Sequence, residues 1–281
     1  MTSLTASLKD TEVEVATTTV RGRGLKPFVR RFALGILLPI AGFAFWEAAA
    51  RLGVIEARLM PPPSRIALVL RDMAASGELW RHVVATLTRV GAGFAIGAFG
   101  GTVLGALSGA RSTIRGLIDP TIQALRAIPS IAWVPLFILW FGIFETSKVT
   151  LIAVGVFFPV YLGVMGAIGS VDRKLIEVGR IFRLSPLEQT RRILLPAVLP
   201  AWVVALRTGL GLGFMFVVAA EIMGASEGLG YVLVDGQQLG KPDEILVALI
   251  TFAVLGQTCD AILVALTRPL LAWQDTDRRP F

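Results

Sequence analysis

Two charged residues stand inside a long apolar run of this sequence, where they could act on an ion that crosses a membrane. Arg207 lies about ten residues into the run 197–222, and Glu221 lies near its end. A charge at membrane depth is costly enough to be a candidate functional residue by default. Arg207 could hold an anion or donate to carbonyl groups freed by a proline-broken neighbour, and we favour the carbonyls. Glu221 would repel an anion if it faced a pathway unpaired, which favours a gate hinge or a hydrogen-bond anchor.

A charged passage, EVGRIFRLSPLEQTRRILLP at 177–196, separates two apolar runs. Residues 184–185 predict a turn, and Ser-Pro-Leu-Glu at 185–188 has the spacing of a capping box with proline at the first helical position. The sequence therefore predicts two short helices, one over about 171–183 and a second that ends near Pro196.

The first of these helices has an apolar side in an otherwise polar segment. Its members are Val178, Ile181, Phe182 and Leu184. Such a helix pair is too polar to enter lipid, yet the apolar side needs a partner surface. Two interpretations stay open: the pair packs under its own membrane domain, or it docks onto another protein.

Scanning for about 20 mainly apolar residues predicts six membrane spans. They lie at 33–50, 90–110, 127–144, 149–169, 197–222 and 245–267. If the N-terminus is cytoplasmic, the inner segments hold 18 Lys and Arg residues and the outer segments hold 8. This excess predicts that both termini are cytoplasmic.

These spans predict an all-α, polytopic membrane bundle with a helical cytoplasmic loop. Residues 1–32 would form a cytoplasmic tail, 33–269 the transmembrane domain with the loop 171–196, and 270–281 a second cytoplasmic tail. Membrane lipid is then the surrounding solvent of most of the chain.

The second predicted span carries a glycine every four residues. The series is Gly93, Gly97, Gly101, Gly105 and Gly109. At about 100° per residue these positions share one slowly drifting face, where another helix can approach closely. We favour a helix-packing seam over the alternative, the lining of a narrow pathway.

Prolines interrupt the next two spans. Pro129 and Pro135 lie in the third span and Pro159 in the fourth, and each removes a backbone donor. Broken helices are tolerated in membranes where protein or a water-lined cavity receives the freed carbonyls, so we expect these spans to face the bundle interior.

Composition excludes several classes of function. The chain is 54% hydrophobic and only 17% charged, well below the roughly one quarter of soluble domains. Its net charge of +7 is spread between apolar runs, so no nucleic-acid site is predicted. One cysteine, Cys259, and one histidine, His82, cannot build a disulfide framework or a Cys/His metal site. We predict no metal, no cofactor and no catalytic residue.

If the charged residues within the spans serve the passage of an ion, this chain shows no ATP site of its own to drive it. The segment DGQQLGKP at 235–242 lacks the first glycine and the final Ser or Thr of a phosphate-binding loop. Energy must therefore come from another subunit or from a gradient. A gradient-driven carrier would more often show two related halves, and no such repeat is visible here.

The charged passage resembles the cytoplasmic loop of binding-protein-dependent ABC importer permeases, whose motif is EAA, three residues, G, nine residues, I, any residue, L, P. Glu177 stands at the E, Val178 and Gly179 replace the two alanines, and 193–196 matches the I-x-L-P end. Arg183 occupies the glycine position, which is a departure. The resemblance implies a coupling helix that docks onto a separate ATP-binding subunit. The implied coupling residues are Glu177, Val178, Gly179, Phe182, Arg183, Leu184, Ser185 and Pro186.

Three further segments, ASGELWRHVVATLTRV, IPSIAWVPLFILWFGIFETSK and AEIMGASEGLGYVL, resemble the nitrate/sulfonate/taurine branch of these permeases, most closely the aliphatic sulfonate permeases. The likeness covers roughly 60–270. It implies a homodimer of permeases in a bacterial inner membrane, two ATP-binding subunits, and a periplasmic binding protein that delivers an organosulfonate. Taurine, nitrate and bicarbonate stay open as substrates.

Overall fold

The structure, a computed structural model, describes residues 26–56 and 58–273. Within these ranges the chain is predominantly helical and contains no strand, so the predicted all-α fold class is confirmed. Most of the two predicted tails, 1–32 and 270–281, lies outside the described residues.

Eleven α-helices follow one another along the described part of the chain. They are α1 (Lys26–Arg51), α2 (Pro63–Ala75), α3 (Glu78–Ala110), α4 (Ser112–Ala127), α5 (Val134–Phe141), α6 (Glu145–Gly169), α7 (Arg173–Ile181), α8 (Pro186–Gln189), α9 (Leu195–Ile222), α10 (Leu229–Leu239) and α11 (Pro242–Thr267). A 3-10 turn, Ser130–Trp133, precedes α5, and a π-helical segment, Thr190–Leu194, joins α8 to α9.

The chain divides into two compact units, one that ends at Ala48 and one that begins at Ala49. Most of α1 belongs to the first unit, and this single helix covers the predicted span 33–50. The second unit contains all the other helices and every residue of the candidate site.

The centre of the second unit is α6, which packs against α3 and α9. In its most apolar stretch 61% of the residues are buried, whereas the figure for the α11 span is 17%. Three valines at the contact, Val156, Val160 and Val217, are wholly inaccessible to solvent. Each fully buried side chain of this size contributes about 1.5–3 kcal/mol relative to exposure in water, although within a bilayer close packing supplies the gain.

Within the described residues, four single helical stretches are long and apolar enough to cross a membrane. They are Glu78–Ala110, Glu145–Gly169, Leu187–Ile222 and Pro242–Leu271. Each contains one of the predicted spans 90–110, 149–169, 197–222 and 245–267. The prediction that the fourth span is broken is wrong, because α6 runs without interruption through Pro159.

The predicted span 127–144 is not one helix. Ser112–Ala127 and Ile131–Phe141 meet at an angle of 86°. Ile128 is extended, with ψ of 123°, because the ring of Pro129 excludes the helical conformation from the residue before it. Pro135 then lies in the first turn of α5, where its missing donor costs nothing. The two prolines therefore break this element once, between α4 and α5.

The second helix of the charged loop continues into the membrane instead of ending near Pro196. The helical stretch from Leu187 to Ile222 is continuous. The π-helical segment Thr190–Leu194 lies immediately before the proline and widens the turn that receives its ring. The loop is thereby joined directly to α9, so a displacement of one moves the other.

Candidate coupling loop and membrane ion pairs

The turn between α7 and α8 is closed by two backbone hydrogen bonds. The N–H of Leu184 donates to the carbonyl of Gly179 at 3.0 Å, and that of Arg183 to the carbonyl of Arg180 at 2.9 Å. This is the pairing of a Schellman motif, whose central residue must be left-handed. Arg183 takes that conformation with φ of +54°, the one non-glycine residue with positive φ in the described chain. The tight turn therefore forms although arginine replaces the motif's glycine.

The predicted capping box at the start of α8 is confirmed. The N–H of Ser185 donates to Glu188 Oε2 at 3.0 Å, and the N–H of Glu188 lies 3.3 Å from Ser185 Oγ. The Ser185 hydroxyl also contacts the same carboxylate oxygen at 2.9 Å. Pro186 is the first residue of α8, so the chain reverses at a fixed position.

Gly179 lets the two helices of the loop approach each other. It is buried, and a Cβ atom there would lie 2.8 Å from Ile193 Cδ1 and 3.1 Å from Gln189 Nε2. These atoms are the ends of flexible side chains, so a small side chain here would require Ile193 and Gln189 to shift, and the glycine allows close contact between α7 and the segment that follows it.

The outer surface of the hairpin is apolar. We define the loop apolar face as Val178, Ile181, Phe182 and Leu187, which are 45%, 78%, 73% and 78% exposed. Glu177 is exposed beside this face, while Leu184 is half-buried in the turn. Large apolar side chains exposed together on a charged hairpin mark an interaction surface.

Arg207 forms a two-pronged ion pair with Asp260 of α11. Its Nε lies 2.8 Å from Asp260 Oδ1 and its Nη2 lies 2.7 Å from Oδ2. The side chains are 48% and 28% exposed. The expectation that Arg207 donates to main-chain carbonyls is wrong, since a carboxylate offers a bidentate partner that matches the planar guanidinium. Sequence reasoning missed Asp260, although it lies inside the apolar run 245–267 and the rule for intramembrane charges applies to it equally.

Glu221 is buried near the end of α9 within a network of donors. It accepts hydrogen bonds from Thr86 Oγ1 at 2.9 Å, Arg89 Nη1 at 2.8 Å and the N–H of Gly230 at 2.8 Å. Its side chain has no exposed surface. This geometry is that of a hydrogen-bond anchor, one of the two alternatives that the sequence left open.

Arg89 extends the network to α6. Its Nε and Nη2 donate to the two oxygens of Glu145 at 2.6 and 2.9 Å, and Lys148 Nζ lies 3.1 Å from the same carboxylate. Two cations and two carboxylates thus balance, so neither Arg89 nor Glu221 is left as an uncompensated buried charge. Arg89 and Glu145 lie just outside the predicted spans, so no intramembrane-charge argument pointed to them.

The segment between α9 and α10 closes over this network. Gly228 has φ of +124°, and a Cβ there would overlap the Glu221 carboxylate. Its N–H donates to His82 Nδ1 at 3.0 Å, and the N–H of Leu229 donates to Thr86 Oγ1 at 2.9 Å. His82 Nδ1 therefore accepts a hydrogen bond from the backbone. Nowhere in the described ranges do three His, Cys, Asp or Glu side chains gather as a metal site would require.

The periodic glycines of α3 lie against the backbone of α6. A Cβ at Gly101 would be 2.8 Å from the Phe157 carbonyl oxygen, and one at Gly105 would be 2.6 Å from that of Tyr161. At Gly97 it would overlap the carbonyl of Ala153, and at Gly93 it would lie 2.5 Å from Cγ2 of the Ile152 side chain. The glycine face is thus in contact with another helix, which leaves it no room to line a pathway in this conformation.

A bundle of long apolar helices with a polar, apolar-faced loop between two spans defines a polytopic α-helical membrane protein. The family model described as "Binding-protein-dependent transport system inner membrane component" matches residues 101–270, more than half of the chain. The chain therefore belongs to this family of membrane permease subunits, and the resemblance drawn from the loop motif is confirmed.

Curated relatives match nearly the whole chain. A protein of Bacillus subtilis (strain 168), provisionally named aliphatic sulfonates transport permease protein SsuC, is 38% identical over 253 residues, 89% of this chain and 92% of its own length. The taurine transport system permease protein TauC of Escherichia coli (strain K12) is 31% identical over 252 residues, 88% of this chain and 92% of its own.

A solved structure supports the fold independently. An inward-facing structure of the MetNI methionine ABC transporter superposes with a TM-score of 0.56 and 20% identity, covering 68% of this chain and 97% of that one. At this level of identity the likeness concerns the arrangement of helices alone.

Proposed function

We propose that this chain is the membrane-spanning subunit of an ABC importer that carries aliphatic sulfonates, and that its α7–α8 hairpin transmits the motion of a separate ATP-binding subunit. The observation that carries the proposal is the loop apolar face, a set of exposed apolar side chains on a charged hairpin between two spans. Neither lipid nor the chain's own second unit covers this face. We infer that a groove on another protein covers the loop apolar face.

The hairpin is suited to transmit force because it is rigid and continuous with a span. The Schellman turn and the capping box fix α7 against α8, and the π-helical segment leads into α9 without a loop. A push on the loop apolar face therefore reaches the middle of the membrane along α9.

The orientation follows from the distribution of basic residues. With both termini cytoplasmic, the hairpin lies on the side that carries 18 Lys and Arg residues, against 8 on the other side. This is the side of an inner membrane on which ATP is available. A periplasmic binding protein then delivers the substrate at the opposite end of the spans.

A second copy of the chain completes the pathway in this proposal. The α11 span is only 17% buried within one copy and carries Asp260, a charge that lipid does not solvate. A homodimer would cover this side and enclose a water-filled route between the two copies. The sulfonate substrate is supported by the likeness to the aliphatic sulfonate permease of Bacillus subtilis, with taurine, itself a sulfonate, as a close alternative.

Replacement of Glu177 by Lys tests the docking step. The variant places a positive charge beside the loop apolar face, and we expect it to insert and assemble in the membrane but to lose most coupling between ATP hydrolysis and uptake. Capture of the purified ATP-binding subunit by the reconstituted permease measures docking directly.

Glu56→Lys is the matched control, because it makes the same charge change at an exposed glutamate before α2. It should capture the ATP-binding subunit as the unmodified chain does. Normal capture and normal coupled uptake in Glu177→Lys would remove the docking proposal.

A further inference from the structure

The ion pair of Arg207 and Asp260 lies within two membrane helices, near the middle of α9 and about 10 Å from the end of α11 at 1.5 Å per residue. Arg207 is about 18 Å from the start of α9 and about 22 Å from its end, at 1.5 Å per residue. The guanidinium fork and the carboxylate face each other at 2.7 and 2.8 Å. Both residues thus lie inside apolar spans, where a charge requires a polar partner or water that the protein admits.

The pair is open to its surroundings. Its side chains are 48% and 28% exposed, whereas those of Arg89 and Glu221 in the buried pair are 7% and 0% exposed. Thr208 and Gln257 are exposed next to it, and Gln257 lies three residues before Asp260 on the same side of α11. We call these four residues the α9–α11 polar patch. Charges at this depth face a water-filled cavity or another protein, not acyl chains.

An open ion pair of this geometry is suited to exchange its anion. Guanidinium binds carboxylate and other planar or tetrahedral oxyanions through two parallel hydrogen bonds. A sulfonate presents three oxygens on one sulfur and carries the same single charge as Asp260. It can take the place of the carboxylate on Nε and Nη2 without a change in the number of hydrogen bonds.

We propose that Arg207 and Asp260 form an anion-exchange point in the pathway, in which the arriving sulfonate displaces Asp260 from the guanidinium and Asp260 pairs with it again when the sulfonate leaves. This rests on the proposed function. At rest the site is neutral, so it does not trap anions. When it is occupied, the displaced carboxylate repels the sulfonate and favours its release.

If Asp260 competes with the sulfonate for Arg207, substitutions of the two residues should have opposite effects on sulfonate binding. Asp260→Asn frees the guanidinium, so a sulfonate binds without a competitor. Arg207→Gln removes the fork, so no sulfonate binds. If the pair only joins α9 to α11, both substitutions should cause the same loss of stability.

The test uses the assembled importer in lipid nanodiscs without its binding protein, and measures the unfolding temperature as sodium ethanesulfonate replaces sodium chloride at constant ionic strength. We expect ethanesulfonate to stabilise Asp260→Asn at concentrations about fivefold lower than those that stabilise the unmodified complex. This factor corresponds to the loss of a competing salt bridge at a half-exposed position. The double variant Arg207→Gln/Asp260→Asn should show no ethanesulfonate response.

Asp243→Asn is the matched control, since Asp243 is an aspartate at the other end of α11 that pairs with an arginine, Arg65, at 2.9 Å. Its response should equal that of the unmodified complex. An equal gain in Asp243→Asn would show that any freed arginine binds anions and would overturn the proposal. Parallel destabilisation of Asp260→Asn and Arg207→Gln with no change in the ethanesulfonate response would overturn it too.

Two further measurements separate this proposal from the proposed function. If nitrate or bicarbonate stabilises Asp260→Asn and ethanesulfonate does not, the exchange point stands and the sulfonate assignment fails. If Asp260→Asn does not assemble, Gln257→Glu adds a carboxylate to the patch and leaves the pair in place. That variant should lower ethanesulfonate uptake severalfold at normal yield, and unchanged uptake would contradict the proposal.

Discussion

Arg89 and Glu221 form an ion pair, 2.8 Å between Nη1 and Oε1, in which the two side chains are 7% and 0% exposed. The pair joins α3 to α9, and Arg89 adds α6 through Glu145. Three membrane helices and the start of α10 are therefore held at one point. Loosening this point should affect the whole bundle.

Removal of one partner of this pair should be strongly destabilising. Glu221→Ala leaves Arg89 paired with Glu145 alone and removes the acceptor of Thr86 and of the Gly230 N–H, and removing one partner of a buried pair costs up to about 3–5 kcal/mol. We expect a large loss of folded protein after detergent extraction, measured by size-exclusion fluorescence.

Glu227→Gln is the control for this prediction. Its side chain is exposed and only its backbone carbonyl accepts from Arg89, at 2.6 Å, so the change should stay within about 0.5 kcal/mol. Equal yields of Glu221→Ala and Glu227→Gln would show that the network does not hold the bundle.

The left-handed Arg183 predicts a stabilising substitution. An L-residue in this conformation costs roughly 1–2 kcal/mol, while glycine costs roughly 0.5–1 kcal/mol in lost chain freedom, so Arg183→Gly should stabilise the turn by about 0.5–1 kcal/mol. Hydrogen exchange of the Leu184 amide, which closes the turn, should slow by a factor of a few. Faster exchange would mean that the arginine side chain itself stabilises the turn.

The glycine contact between α3 and α6 predicts a position-dependent effect of bulk. Gly97→Leu or Gly101→Leu should lower the yield of folded complex, because the first side-chain atom already meets α6 backbone. Overpacking of this kind costs about 1–3 kcal/mol. Gly91→Leu on the same helix is the control, since nothing lies within 4 Å of its position. Similar yields for the variants at 91 and 97 would contradict the packing role.

The loop apolar face predicts where the ATP-binding subunit is held. Phe182→Ala removes an exposed aromatic side chain that fits the description of an interface anchor, and should weaken capture of that subunit by about tenfold or more. Leu59→Ala, a 72% exposed apolar residue before α2, should leave capture unchanged. Capture that survives in Phe182→Ala but fails in Leu59→Ala would place the interface elsewhere.

Sequence reasoning recovered the elements that local patterns specify. Apolar runs predicted four of the long helices, and Ser185 to Glu188 predicted the cap, because each depends on neighbours within a few residues. The break at Pro129 followed from the same local logic. The helical continuity across Pro196 did not, since it depends on a π-helical widening that the packing of α9 supports.

Pairings between distant residues lay beyond local patterns. Arg89 meets Glu221 across 132 positions, and Arg207 meets Asp260 across 53. Charge type and membrane depth marked Arg207 and Glu221 as candidates, but only helix packing determines which carboxylate or guanidinium each one reaches. The partner that each residue reaches determines that Glu221 is a buried anchor and that Arg207 forms an open ion pair.

We propose that ATP hydrolysis by a partner subunit drives sulfonate uptake through this chain. The test uses proteoliposomes that contain the permease, its ATP-binding subunit and its binding protein. We predict uptake of labelled ethanesulfonate that requires ATP, stops in Glu177→Lys and continues when ion gradients are collapsed. Uptake that persists without ATP and follows an ion gradient would contradict this proposal. Uptake of nitrate or bicarbonate, but not of ethanesulfonate, would contradict it too.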